Sequence, residues 1–189
     1  MTLMTRRTFG ATLAAGAAAA MTARPAQALD LASAKALIDR AIGEVNKVIN
    51  SGKSEAAMYG DFERIFAKYA DVGAIARSAL GPTARTASAA QMTAFTAAYQ
   101  GYISRKYGRR FREFIGGKIE VTDAKPLKSY FEVISIARLQ GESPFDLRWH
   151  VSNKSGRDLF FNIIIEGVNM LASEREEIGA LLKKQKGDL

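Results

Sequence analysis

Few residues in this chain are equipped for chemistry, and their spacing narrows what they can do. There is one histidine and no cysteine among 189 residues. Thiol catalysis, disulfides and cysteine or multi-histidine metal sites are therefore excluded. His150 sits in an alternating run with Asp146 and Arg148 on the same face. As a general base it needs an oriented carboxylate, and Asp146, four residues along an extended chain, is ~13 Å away. His150 therefore reads as a polar surface residue. The densest charge feature is Arg105-Lys106-x-x-Arg109-Arg110-x-Arg112. Arg109 and Arg112 are three apart on a helix and can converge on one anion; a solvated helix face is the other reading. Glu166-Gly167 closes an apolar strand, where a buried carboxylate needs a partner. Glu166 is expected to fix the strand-to-helix turn through backbone hydrogen bonds. Gly167 is expected to supply a backbone conformation or a close approach that other residues resist. No catalytic residue, metal ligand or cofactor is assigned.

The elements that carry these residues follow from hydrophobic period. Leu37, Ile38, Ala41, Ile42, Val45, Val48 and Ile49 mark one face of a helix from Leu29 to Asn50. Two further helices are expected at Ser54–Ala70 and Val72–Leu80, stopped by Gly81-Pro82. Ser88-Ala89-Ala90-Gln91 is a capping box that opens the longest helix, expected to run to about Ile115 before Gly116-Gly117. The period then falls to two. Strands are expected at Lys118–Asp123, Tyr130–Gln140, Pro144–Ser152 and Arg157–Glu166. A second capping box, Ser173 to Glu176, opens a last helix to about Lys186. Helices followed by an antiparallel sheet make an α+β fold, with helices on one face of a curved sheet of about four strands. Such an arrangement often leaves a pocket between its layers.

Residues 1–28 read as an export address. Arg6-Arg7 precedes an uncharged, alanine-rich stretch from Gly10 to Ala23, and Ala26-Gln27-Ala28 offers a small-x-small cleavage site. Paired arginines before a mildly apolar run are the mark of a twin-arginine signal. Cleavage would leave residues 29–189 as a single domain beyond the cytoplasmic membrane. Removing three arginines and no acids takes the formal charge from +8 to +5. That moderate basicity suits anionic lipid or an acidic protein face, and nucleic acid is a poor partner.

Three segments carry a family likeness. They are Leu80-Gly81 with the aromatic-rich helix beyond Thr86, the strand Phe145-x-Leu147-x-Trp149-x-Val151, and Glu166-Gly167-Val168-Asn169-Met170 leading to Arg175. Over roughly Ala56 to Leu182 the chain resembles the MlaC, or toluene-tolerance, family of periplasmic phospholipid-binding proteins. It resembles a divergent member. The family usually has a tryptophan and an acidic residue where this chain has Leu159 or Phe160 and Asn162, and a serine in place of Asn169.

The resemblance implies a cystatin- or nuclear-transport-factor-like fold with a lipid pocket between its layers, and a phospholipid carrier that is not an enzyme. Implied partners are a two-chain phospholipid, an inner-membrane ABC transporter with its periplasmic lipid-binding subunit, and an outer-membrane lipoprotein complex. A hopanoid-associated carrier and a small pocketed enzyme are the alternatives. A two-tailed lipid exposes about 30 methylenes, a cost on the order of 20 kcal/mol in water, so its carrier needs a deep apolar pocket. On the long helix, Phe95, Tyr99, Tyr102, Ile103, Phe111 and Phe114 are the expected wall; on the sheet, Ile134, Ile136, Leu147, Trp149, Ile163 and Ile165. Taken singly, each of these fits core better than pocket wall, since alternation tells which side a residue faces and not whether its neighbour is protein or lipid. Arg105, Arg109 and Arg112 would then meet a lipid phosphate or an acidic docking face.

Overall fold

Each helix begins at a side chain that satisfies its first free backbone N–H groups. The computed structural model describes residues 29–109 and 113–189, so the expected export signal and Arg110, Phe111 and Arg112 lie outside the described residues. Helix α1 (Leu31–Ile49) is capped by Asp30, whose carboxylate accepts from Ser33 N at 2.7 Å. Ser54 caps α2 (Glu55–Tyr69), and Asp71 caps α3 (Val72–Leu80). Gly81–Arg85 forms a 3-10 turn. The expected capping box at Ser88 is present. Ser88 N donates to Gln91 Oε1 at 2.9 Å and Gln91 N returns to Ser88 Oγ at 3.2 Å, opening α4 (Ala89–Gly108). Helix α4 stops at Gly108, not near Ile115, with Arg109 as its C-cap.

The sheet is an antiparallel meander in the order β1-β2-β3-β4-β5. Its strands are β1 (Lys118–Leu127), β2 (Tyr130–Arg138), β3 (Phe145–Ser152), β4 (Leu159–Ile165) and β5 (Val168–Asn169). The described residues thus hold five strands, one more than expected. The fifth is a two-residue edge strand returned by a tight turn at Glu166-Gly167, with φ of 49° and 81°. Successive left-handed residues are what a two-residue hairpin turn demands. A Cβ on Gly167 would meet nothing within 4 Å, so conformation rather than close approach is its role. Register slips between Val121 and Asp123 and between His150 and Val151 mark two β-bulges, one placing an extra residue, Phe161, in β4.

Helix α5 (Met170–Lys184) starts one turn before the expected capping box. Asn169 is its cap, accepting from Ala172 N at 3.2 Å, and Ser173 lies inside the helix, donating back to the Asn169 carbonyl. Helix α1 lies across β1 and β2, and α2 packs between α1 and α4. Helix α3 meets β4, α4 and α5. Helices packed on an antiparallel sheet make the fold α+β. The core runs from Ala34, Leu37, Ile38 and Ala41 of α1 through Ala76 and Leu80 of α3 to Val133 and Val151 of the sheet. Ile38 is fully buried. Ile38→Ala is expected to cost about 3 kcal/mol of stability, read as a lowered urea midpoint with an unchanged m-value.

Candidate functional site

Pairing register decides which side chains face the helices. Phe131, Val133, Ser135 and Ala137 of β2 stand opposite Val151, Trp149, Leu147 and Phe145 of β3. Trp149 and Leu147 in turn stand opposite Ile163 and Ile165 of β4. Between this face and the helices lies a cavity of about 380 Å³. Its helical wall is Ala41 and Val45 of α1, Phe62, Ile65 and Phe66 of α2, Ile75 of α3, and Tyr99, Ile103 and Tyr107 of α4. Its sheet wall is Ile119, Phe145, Leu147, Phe160, Ile163 and Ile165, and Met170, Leu171 and Glu174 close one side. The wall includes exposed residues in the α4–β1, β2–β3 and β4–β5 connections, so the cavity reaches the surface at that end of the sheet. An apolar chamber of this size lies within the range of small-molecule sites.

One polar network borders it. Lys106 of α4 bridges Glu174 (2.7 Å) and Glu177 of α5. Tyr107 OH donates to Glu174 Oε1 at 2.6 Å, and Tyr102 OH donates to Glu177. Burial alone would lower the Lys106 pKa, but its hydrogen bonds to Glu174 and Glu177 outweigh that and raise it. Burial first, then the hydrogen bond to Glu177, push Tyr102 up to about 12. The Lys106 hydrogen bond holds Glu177 below its usual range. Arg175 ties the same helix to α3, donating from Nε to the Ser78 carbonyl and from Nη2 to Ser78 Oγ, both at 2.8 Å. The two guanidinium contacts meet the C-terminal end of α3, where a cation is favoured.

A family model described as MlaC protein matches residues 39–188. The chain belongs to the MlaC family. Among solved structures, it is similar to a phospholipid-binding protein from Ralstonia solanacearum in complex with a phospholipid. The TM-score is 0.71 at 16% sequence identity, covering 82% of this chain and 89% of that one.

In this MlaC-family chain the expected wall residues divide. Tyr99, Ile103, Phe114, Leu147, Ile163 and Ile165 line the cavity. Phe95 stacks on Tyr99 at 5.6 Å between ring centroids, and Tyr102 leans on its other side, both as packing outside the wall. Trp149 is core: its indole donates to Ser135 Oγ at 2.8 Å and its ring meets Phe160 edge-on. Ile134 and Ile136 point to the opposite face of the sheet, paired with Arg148 and Asp146, which corrects their place in the wall. Arg105 and Arg109 are exposed on α4 and its cap, and neither belongs to the cavity wall. Phe111 and Arg112 lie outside the described residues. Glu166 lines the cavity as an exposed side chain, not a buried one, and its backbone N–H donates across to the Asp146 carbonyl of β3 at 3.2 Å, prolonging the β3–β4 pairing and not closing the turn.

His150 is another correction. It is buried at 8% exposure, on the sheet face away from the helices, between Tyr130 and Phe161. Its carboxylate partner is not Asp146 but cross-strand Glu132, at 3.4 Å from Nε2. Lys125 lies 2.9 Å from the other Glu132 oxygen. Asn162 Oδ1 accepts from Leu171 N, which leaves its amide to donate to His150 Nδ1 at 3.3 Å. That fixes the neutral imidazole with its proton on Nε2. The α2 wall residues Phe62, Ile65 and Phe66 were legible as an apolar face, and only the tertiary fold distinguishes wall from core.

Two outcomes follow from these contacts. Lys106→Met leaves the Glu174 carboxylate buried without its cation. It is expected to cost about 3 kcal/mol in urea denaturation, the low end for a broken buried pair, since Lys106 is itself 30% exposed. Burial holds the His150 pKa below its ordinary value, with Glu132 opposing. Stability from its neutral form is thus complete above pH 6.5 and falls as pH drops below it, by at most ~1.4 kcal/mol per unit. Glu132, held below 4.5 by Lys125 against the effect of burial, adds its own loss only near the lower end of that window, as pH approaches 5. Denaturation between pH 7 and 5 is expected to show this loss, and His150→Gln to flatten it.

Proposed function

We propose that this chain is a periplasmic phospholipid carrier. It takes a lipid from one membrane complex and delivers it to another, with an inner-membrane ABC transporter and its periplasmic lipid-binding subunit on one side. An outer-membrane lipoprotein complex stands on the other. The observation that carries the reading is the apolar cavity between helices and sheet in a chain of the MlaC family. The phospholipid held by the similar Ralstonia solanacearum protein supports it. The twin-arginine pattern at residues 1–28 supports export by that route.

A carrier has to cover acyl chains that would otherwise cost on the order of 20 kcal/mol in water. The cavity sits at the lower end of ligand-site volumes, so a two-chain lipid requires the helices to move outward against the sheet. Release then depends on docking, because a ligand held by so much apolar surface leaves slowly by itself. The chemistry of the site is that of binding. His150 has both ring nitrogens engaged and is outside the cavity wall.

Native mass spectrometry of the mature protein taken from its own periplasm, followed by organic extraction, tests this. A stoichiometric adduct that extracts as phospholipid is expected. A bare polypeptide mass with no extractable lipid would overturn the carrier reading.

A further inference from the structure

A second concavity, a groove of about 470 Å³, opens beside α1, between that helix, the end of α2 and the start of β4. Leu37 and Tyr69 lie buried beneath it. Arg40, Gly43, Glu44 and Lys47 edge it at the spacing of one helical stripe. Ala41 and Val45, on another face of α1, line the apolar cavity, and the two hollows share no lining residue. Arg157 and Asp158 belong to the β3–β4 connection. In an antiparallel meander that connection lies at the end opposite the β2–β3 and β4–β5 connections, where the cavity reaches the surface.

Four cations, Arg40, Lys47, Lys68 and Arg157, stand around this groove against two carboxylates, Glu44 and Asp158. Part of that charge is used within the fold. Lys68 and the Tyr69 hydroxyl both donate to Glu44 Oε1, at 2.5 and 2.8 Å. Arg157 donates to the Lys68 carbonyl at 3.3 Å. Arg40, Lys47 and Asp158 make no hydrogen bond or salt bridge among the described residues. Between the two free cations stands Gly43, with nothing within 4 Å of the place a Cβ would take. Glycine weakens a helix interior relative to alanine, and neither a positive φ nor a close neighbour calls for it here. What Gly43 does supply is an open floor between Arg40 and Lys47.

The layout selects the occupant. Arg40 and Lys47 are two helical turns apart, ~10.5 Å along the axis, a row rather than a cup closing on one phosphate. An anionic bilayer presents a single sign of charge on a flat surface. Glu44 and Asp158 would then meet like charge, and the floor would stay unfilled. A polypeptide lies along a groove and carries both signs. We propose that this groove is the docking site for a predominantly acidic segment of a partner protein, gripped by Arg40 and Lys47 on either side of Gly43, with a basic residue reaching Asp158. The inference goes beyond the carrier reading and does not depend on it. A partner held here touches α1, one wall of the cavity, and grips the molecule away from the cavity mouth.

The test titrates the mature protein at low salt with a synthetic peptide of alternating glutamate and alanine carrying one central lysine, and follows backbone amide shifts by NMR. Shifts centred on Arg40 to Lys47 and on Arg157 and Asp158 are expected. The combined Arg40→Gln and Lys47→Gln substitution is expected to weaken binding about fivefold, the size set by two exposed ion pairs. Gly43→Leu keeps every charge and fills the floor, and it is expected to weaken binding at least as much. Neither variant removes a hydrogen bond or a salt bridge of the fold. Binding that ignores Gly43→Leu, or shifts spread over the arginines of α4 and the lysines of α5, would mean a diffuse basic surface and overturn the inference. Absence of shifts along α1 overturns it as well. Stronger binding to phosphatidylglycerol vesicles than to the peptide, lost with Arg40 and Lys47, overturns it in favour of a lipid surface.

Discussion

Apolar surfaces in water close on each other unless something fixes their separation, and here the ion pair between Lys106 and Glu174 does that. Helices α4 and α5 both give side chains to the cavity, and hydrophobic attraction between them has no preferred distance. The pair, with Tyr107 on the same carboxylate oxygen, sets that distance by hydrogen bonds of 2.6 and 2.7 Å. Arg175 does the same for α5 against α3. Helix α5 packs Ile178, Leu171 and Leu182 against the core, and these directional contacts fix its position there. Directional contacts can be exchanged at a docking interface without unravelling the apolar core.

The sheet meets the same requirement from the other side. Two β-bulges add local twist and bend the strands. The extra residue in β4 lets Phe160 face the helices while its neighbour Phe161 packs with Tyr130 and His150 on the far face. The buried trio of His150, Glu132 and Asn162 anchors that far face and reaches the first turn of α5 through the Leu171 amide. Cavity wall and outer face therefore share one hydrogen-bonded strand.

Much of this was legible in the sequence, for identifiable reasons. Helices α1 to α3 and the order of strands follow from unambiguous changes of hydrophobic period and from Gly81-Pro82. Strand β2 was given the wrong face, with Ile134 and Ile136 turned to the pocket, because Phe131, Val133, Ile134, Ile136 and Ala137 are apolar at both parities. Only pairing with β3 settles that Ile134 and Ile136 turn away. The start of α5 was misplaced because two competent caps lie four residues apart, and the β4–β5 turn selects Asn169. Glu132 and His150 are 18 residues apart in the chain, so their contact exists only across strands. Tyr99 and Glu174 were written in the same apolar and capping patterns as their neighbours, and their burial is visible only in three dimensions.

The free margins of the sheet are guarded. On one side β1 carries Pro126, a bulge near Thr122, and lysines at 118 and 125. On the other, β4 is covered by β5 at Ile164 and Ile165 and by the α2–α3 junction, where Asp71 N donates to the Phe160 carbonyl at 2.7 Å. Among the described residues these features disfavour pairing by a visiting chain along either margin. A protein that gripped this molecule would then read its side chains and not extend its sheet, and single surface substitutions would be enough to retune such recognition.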